Sequence, residues 1–205
     1  MTLADPADFP CKISGEVKDF VPDHYLHKKD ILRMARFSQL AVAAADDAIN
    51  HSAINLDQED LTRVGVLLGS GNGAFPETEN GARVIIENKR RLSPYFIPMI
   101  LPNMGTANIS RRYGARGYNS TVVTACAASN QAMGEAAEVI RRGMADVMIS
   151  GGAEAPISKL GLAGFCAMKA LTVQNASPTT ASRPFDKTRD GFVPAEGAGI
   201  LILES

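Results

Sequence analysis

Residues 121–129 read Thr-Val-Val-Thr-Ala-Cys-Ala-Ala-Ser, a stretch in which two sequence patterns of different period meet. The β-branched first half predicts a strand over residues 120–125, and the apolar spacing that follows predicts a helix over residues 127–142. Cys126 stands at the junction, where a thiol meets the unpaired N–H groups and the positive dipole end of a helix, and both favour the thiolate. We therefore predict that Cys126 is a nucleophile. The alternative is a small buried core cysteine, which is the commoner role of this residue type.

The elements predicted around this junction alternate between strands and helices. Strands are predicted over residues 63–69, 145–152 and 198–204, and helices over residues 30–51, 82–88 and 104–113. Because the strands are apolar on both faces, we predict an α/β fold with a mostly parallel central sheet covered by helices. Residues 93–102 contain three prolines, which forbid an uninterrupted helix, and are predicted to form an extended, packed loop.

The composition is that of a globular chain with no strong charge preference. Of the 205 residues 45% are hydrophobic, and 21 Lys and Arg nearly balance 22 Asp and Glu. Neither nucleic acid nor a membrane is therefore expected as a partner. Three separated cysteines without a Cys-x-x-Cys pair favour a reducing compartment over zinc binding, and Cys11 and Cys166 are assigned structural roles. The N-terminus lacks the pattern of a signal peptide, so we expect a cytoplasmic protein with one structural unit over residues 1–205.

The glycine-rich turn after the first predicted strand resembles a nucleotide site only in its letters. Gly69, Gly71 and Ala74 have the spacing of a dinucleotide-binding fingerprint. Residues 88–91, however, carry basic side chains where an acid would bind the ribose. We expect no cofactor, and a tight turn beside a substrate cavity is the better interpretation.

A second loop, residues 186–191, resembles a calcium site equally weakly. Its third position is Thr188 and its twelfth is Gly197, neither of which supplies the required carboxylate. We predict instead that the acids and Arg189 tie this loop together through charge-assisted hydrogen bonds, with Glu196 joining them.

No proton-transfer partner for Cys126 is evident in the sequence. His24, His27 and His51 all precede the cysteine region, and none has metal-ligand company. They are predicted to be solvated or to lie at helix ends, although an acyl-transfer cysteine normally needs a group that moves protons.

Several motifs together resemble those of the elongating, type II β-ketoacyl-acyl-carrier-protein synthases, which share the thiolase fold. The resemblance covers nearly the whole chain, and its most specific segments are Thr124-Ala-Cys-Ala127, Gly69-Ser-Gly71, and residues 17–20, 93–96, 145–154, 161–165, 181–193 and 196–199. It implies a thiolase-like layered fold.

The resemblance also implies an activity, a decarboxylative Claisen condensation. A cysteine takes an acyl group from carrier-protein phosphopantetheine, and malonyl-carrier protein then loses CO₂ and attacks the thioester. Cys126 would be the acylated nucleophile, and its own N–H would form half of the oxyanion hole. Phe165 matches a family position beside the acyl chain, and Phe96 matches one at a dimer interface near the partner's pocket. The implied partners are acyl-carrier protein and a second copy in a homodimer; no metal is implied.

The match corresponds to the N-terminal half of a duplicated fold. The C-terminal half of the family's fold contributes two histidines, a lysine and a phenylalanine loop, and none of these has a counterpart here. The family's first strand, which we expect at a central position of the sheet, has no counterpart here either. We therefore expect residues 1–205 to form an incomplete domain that does not elongate acyl chains alone. Such a sheet would expose apolar faces and unpaired edges.

At the position of Asn72, long-chain synthases commonly carry an apolar residue, which lies at the floor of the acyl pocket. An unpaired amide there costs about 1–3 kcal/mol, which favours shorter or more polar acyl groups. Two other functions are open: a polyketide-type ketosynthase, and a non-catalytic partner similar to a chain-length factor. The retained Cys126 argues against the second.

Overall fold

The structure, a computed structural model, describes residues 1–88 and 91–205. The helices are α1 (Lys28–Ile31), α2 (Arg36–Ser52), α3 (Phe75–Asn88), α4 (Phe96–Ile100), α5 (Met104–Tyr113), α6 (Ala128–Arg141) and α7 (Lys159–Ala167). The strands are β1 (Val64–Gly69), β2 (Asn119–Val122), β3 (Val147–Glu154) and β4 (Gly197–Glu204). Residues 89 and 90, which belong to the basic segment at the position of a ribose-binding acid, lie outside the described residues.

The four strands form one sheet in the order β2-β1-β3-β4. β1 pairs parallel with both β2 and β3, whereas β4 pairs antiparallel with β3. The predicted mostly parallel sheet is therefore confirmed. Because neighbouring strands pair directly along the whole order, the expectation of a vacant central position is wrong.

Helices cover both faces of this sheet. On one face α5 packs against β1 and α2 packs against β3 and β4. Val64, Val66 and Leu68 of β1 enter the core cluster on this face. On the other face α6 packs against Leu67 and Met148. Successive residues of one strand thus enter two separate core clusters, which explains why the strands read as continuous apolar runs.

The helix predicted over residues 30–51 is two helices, α1 and α2, separated by a turn. Met34 lies in this turn and is 5% exposed, so the break between the two helices places its side chain in the core. The side-chain amide of Gln39 donates hydrogen bonds to the carbonyls of Ile31 at 3.1 Å and Met34 at 2.9 Å. These bonds replace helical ones and stabilise the break.

Two proline-containing segments are more helical than predicted. α3 begins at Phe75, well before the expected residue 82, with Pro76 in its first turn. The extended loop predicted over residues 93–102 is wrong as well, because α4 contains Pro98 in its first turn. Proline is tolerated at these positions because first-turn N–H groups have no partner within the helix.

Candidate active site

Cys126 lies in a single 3-10 turn, Ala125–Ala127, between β2 and α6. β2 ends at Val122 rather than at the predicted residue 125, so the strand and the helix do not meet directly at Cys126, as their predicted bounds had implied. Ala125 has a φ of 49°, an uncommon conformation for a residue with a side chain. The strand ends early because this sharp elbow is needed to turn the chain into α6.

The backbone N–H groups of the elbow differ in whether they donate a hydrogen bond. The Ala127 N–H donates to the Thr124 carbonyl at 3.1 Å, and the Ala128 N–H donates to the Ala125 carbonyl. Among residues 1–88 and 91–205, no backbone or side-chain acceptor is paired with the Cys126 N–H, and the Cys126 thiol is exposed. One residue therefore offers both a thiol and an N–H donor at the start of α6.

Cys126 borders a cavity of about 590 Å³, a volume typical of small-molecule sites. Asn72 and Phe165, which come from distant parts of the chain, line the same cavity. Most of the remaining wall is apolar and includes Met168, Val193, Pro194 and Ala195. The structure thus brings together three of the four residues that the sequence nominated.

Two glycines allow the start of α6 to lie directly against the sheet. Gly69 and Gly152 are register partners at the ends of β1 and β3. A Cβ on Gly69 would lie 2.2 Å from the carbonyl carbon of Ala128, and a Cβ on Gly152 would lie 2.0 Å from Ser129 Oγ. Side chains at these positions would push α6 away, so the glycines set the place of the elbow.

Glu154 is a cavity residue to which the sequence reasoning assigned no role. Its carboxylate accepts hydrogen bonds from the Gly71 N–H at 2.5 Å, the Asn72 N–H at 3.0 Å and the Ser70 hydroxyl at 3.3 Å. Burial raises the pKa of Glu154 above its usual value, and these hydrogen bonds oppose the rise. The available signal was its position, because an acid that ends an apolar strand falls at the carboxyl edge of a parallel sheet, where sites form.

A second aromatic ring accompanies Phe165 at the cavity. Phe165 on α7 meets Phe192 edge to face, with ring centroids 5.2 Å apart and ring planes at 82°. Both rings line the cavity, and Phe192 is the other site residue that the sequence reasoning missed. The pair makes an apolar part of the wall of the cavity that the glycine-rich turn at the end of β1 also lines.

Phe96 does not lie in this cavity. It is half-buried on α4 and packs over α3, where a Cβ on Gly81 would lie 2.3 Å from its ring. It lines a separate cavity of about 180 Å³. Its role at a contact between two copies stays a prediction.

The histidines and the other two cysteines stand apart from Cys126. His24, His27 and His51 are exposed, as predicted, and do not line its cavity. Cys11 is buried and Cys166 is half-buried. In the part of the chain that the structure describes, no three His, Cys, Asp or Glu side chains are grouped as metal ligands, and no helix has the length and apolarity needed to cross a bilayer.

The loop at residues 186–191 is tied together by charge-assisted hydrogen bonds, as predicted, but not with Glu196. The predicted cation Arg189 donates to the backbone carbonyl of Asp186 at 2.9 Å, whereas the cation that pairs with an acid of the loop is Arg183. Arg183 pairs with Asp190 at 3.2 Å. The Glu196 carboxylate pairs instead with Arg36 at 2.6 Å, and its side chain is 1% exposed. The prediction for Glu196 is wrong because Arg36, at the start of α2, reaches it from a distant part of the chain.

The family model of the β-ketoacyl synthase N-terminal domain matches residues 4–205. Among curated proteins, 3-oxoacyl-acyl-carrier-protein synthase 2 of Staphylococcus aureus is 41% identical over 206 residues, which cover 100% of this chain and 51% of that protein. The chain therefore spans about half the length of the curated relatives it matches.

Solved structures of ketosynthases have the same fold. The ishigamide ketosynthase/chain length factor superimposes with a TM-score of 0.89 at 30% identity, covering 100% of this chain and 50% of that one. A type II polyketide ketosynthase in complex with its acyl-carrier protein superimposes with a TM-score of 0.72 at 28% identity, covering 93% and 52%. These likenesses confirm the predicted thiolase-like layered fold.

Proposed function

Because the chain belongs to the β-ketoacyl synthase family, whose N-terminal domain it matches over residues 4–205, we propose that it carries the acylated cysteine of a 3-oxoacyl-acyl-carrier-protein synthase of fatty acid biosynthesis. One observation carries the proposal. The exposed Cys126 thiol stands at the start of α6 and at the wall of a cavity of about 590 Å³ that is mostly apolar. A thiol so placed can receive an acyl chain and bury it.

The first half-reaction is a thioester exchange. The Cys126 sulfur attacks the carbonyl carbon of an acyl thioester, a new carbon–sulfur bond forms, and the bond to the carrier sulfur breaks. The carrier leaves as a thiolate, which takes up the proton that Cys126 has released. The Cys126 N–H would stabilise the oxyanion formed on the way, because the neighbouring amides of Ala127 and Ala128 are already engaged.

The second half-reaction is a condensation with malonyl-carrier protein. The malonyl carbon–carboxylate bond breaks, CO₂ leaves, and the resulting carbanion attacks the carbonyl carbon of the Cys126 thioester. A carbon–carbon bond forms, the bond from that carbon to the Cys126 sulfur breaks, Cys126 is regenerated as a thiolate, and the β-ketoacyl product stays on the carrier. None of His24, His27 and His51 lines the cavity, so none of these three is placed to stabilise the charge of the carbanion. We propose that the 205 residues alone accept acyl groups without elongating them.

Asn72 and Phe165 are the proposed contacts to the acyl chain. Both line the cavity, Asn72 from the turn after β1 and Phe165 from α7. A polar amide in a mostly apolar wall disfavours a long alkyl chain beside it. Shorter or more polar acyl groups are therefore the proposed substrates.

The proposed partners are acyl-carrier protein and a second copy of the chain, in the cytoplasm. A ketosynthase of the same fold has been solved with its acyl-carrier protein, which supports the first partner. β2 is an edge strand, and Val123 beyond it is 53% exposed, as expected of a strand that pairs with another copy. Phe96 is the proposed aromatic contribution to that contact from α4.

A polyketide-type ketosynthase is the second candidate. It is supported by the TM-score of 0.72 to the ketosynthase solved with its type II polyketide acyl-carrier protein, although the identity there is 28% against 41% to the fatty acid enzyme. A non-catalytic chain-length-factor role is disfavoured by the exposed thiol of Cys126 at the cavity. The fatty acid and polyketide functions are distinguished by comparing the rates of Cys126 acylation by acyl thioesters that carry a β-keto group and by acyl thioesters that lack it.

The test is to incubate the purified chain with acyl-carrier protein bearing a medium-length acyl group and to locate the added mass by peptide mass spectrometry. We expect one acyl group on Cys126, none in Cys126→Ala, and unchanged labelling in the matched control Cys166→Ala. Added malonyl-carrier protein should yield no β-ketoacyl product. Acylation of Cys11 or Cys166 in place of Cys126 would refute the proposal.

A further inference from the structure

The turn that carries Asn72 is held by the half-buried carboxylate of Glu154. Glu154 Oε2 accepts the Gly71 and Asn72 N–H groups at 2.5 and 3.0 Å, and Oε1 accepts the Ser70 hydroxyl at 3.3 Å. The Ser70 oxygen in turn accepts the Gly73 N–H at 3.2 Å. The donors of the whole turn thus converge on one side chain at the end of β3.

The turn and the carboxylate are built to fit each other closely. A Cβ on Gly71 would lie 2.9 Å from Glu154 Oε2, so only glycine leaves the carboxylate this close to the backbone. Gly73 has a φ of 64°, the left-handed conformation that closes the turn. A half-buried carboxylate with convergent donors is costly to disturb, because removing it leaves the Gly71 and Asn72 N–H groups without this acceptor.

We propose that Glu154 is a positioning residue that sets the acyl-length selectivity of the Cys126 site by holding Asn72 in the cavity wall. This inference rests on the proposed function and deepens it. Glu154 itself lines the cavity together with Gly71 and Asn72, so the carboxylate and the turn that it holds form one continuous part of the wall. Without the carboxylate the turn can move away from the cavity. A longer acyl chain then fits beside Asn72, and the site discriminates less against long acyl chains.

The test uses Glu154→Ala, Glu154→Gln and the matched control Glu79→Gln. Glu79 also accepts a backbone N–H, that of Leu160 at 2.8 Å, but it does not line the Cys126 cavity. Rates of Cys126 modification are measured with acyl thioesters and with N-alkyl iodoacetamides, each bearing a short or a long chain. Hydrogen exchange of the Gly71 and Asn72 amides is followed in parallel.

In Glu154→Ala, we expect the ratio of long-chain to short-chain rates to rise about tenfold with both reagent types, because small displacements of a positioning group have effects of this size. Exchange of the two amides should accelerate by a similar factor. Glu154→Gln keeps an acceptor oxygen without the charge and should show smaller changes in the same direction. The Glu79→Gln ratio should equal that of the parent chain.

The outcomes separate the two proposals. If acyl thioesters fail to modify Cys126 in the parent chain while the iodoacetamide ratio rises in the Glu154 variants, the proposed function fails and the positioning role stands. If both ratios and both exchange rates are unchanged in the variants, the positioning role is overturned. Should Glu154→Ala not fold, Glu154→Gln decides on the same readouts, and parent-like values in it overturn the inference.

Discussion

Replacing Gly69 with alanine should separate the start of α6 from the sheet. The new Cβ would lie 2.2 Å from the Ala128 carbonyl carbon and 2.4 Å from both the Ala128 oxygen and the Ser129 nitrogen. All of these are backbone atoms, so no side-chain rotation relieves the contact, and the first turn of α6 must move by about 1 Å to restore ordinary separations. Overpacking of this kind typically costs about 1–3 kcal/mol.

The same displacement acts on Cys126, which lies in the turn just before α6. A misplacement of about 1 Å can slow an orientation-dependent reaction about 100-fold. We therefore expect Gly69→Ala to lower both the melting temperature, by about 2–4 °C for each kcal/mol lost, and the rate of Cys126 acylation. Thermal unfolding followed by circular dichroism and timed mass spectrometry of the acylated peptide measure the two effects.

Gly134→Ala is the matched control on the same helix. No atom outside the local helix backbone lies within 4 Å of a Cβ placed there, so the substitution should stabilise α6 by about 0.5–1 kcal/mol through higher helix propensity. Its acylation rate should match that of the parent. A Gly69→Ala variant that melts at or above the parent temperature would refute the role assigned to the glycine pair.

Three further predictions concern a buried ion pair, a titrating carboxylate and the acyl cavity. Arg36→Ala leaves the Glu196 side chain, 1% exposed, without its cation and should lower the free energy of unfolding by about 3 kcal/mol in urea denaturation. Arg141→Ala removes an exposed ion pair and should change the free energy of unfolding by less than about 0.5 kcal/mol. Equal losses in the two variants would contradict the role of the Arg36–Glu196 pair. Partial burial raises the pKa of Glu16, but hydrogen bonds from backbone and hydroxyl groups near the N-terminus outweigh it and lower the pKa from 4.5 to about 2. Its stabilisation is therefore present above pH 4.5 and lost as the pH falls towards 2, and Glu16→Gln should remove this part of the pH dependence of unfolding; a parent-like profile would contradict it. Asn72→Ile should raise the ratio of long-chain to medium-chain acylation rates about tenfold, and an unchanged ratio would end the idea that Asn72 selects chain length.

Apolar periodicity predicted the strands, α5 and α6 closely, because an element that buries one face or both must repeat apolar residues with its own period. Ends and breaks were predicted less well. The break before α2 depends on Gln39, whose amide bonds two carbonyls of the preceding turn. The start of α4 depends on Pro98 falling in a first turn. Neither feature changes the apolar period.

The sequence by itself determined that Cys126 stands between a strand and a helix, because both elements are recognisable from neighbouring residues. Only the tertiary structure decided what surrounds the thiol. Asn72 and Glu154 meet at one cavity because parallel pairing brings the carboxyl ends of β1 and β3 to the same edge of the sheet. Phe192 joins them because the antiparallel β4, which it precedes, begins at that edge. Glu196 shows the same limit, since its partner Arg36 is 160 residues away. Contacts of that kind depend on strand register and helix packing, which no local pattern contains.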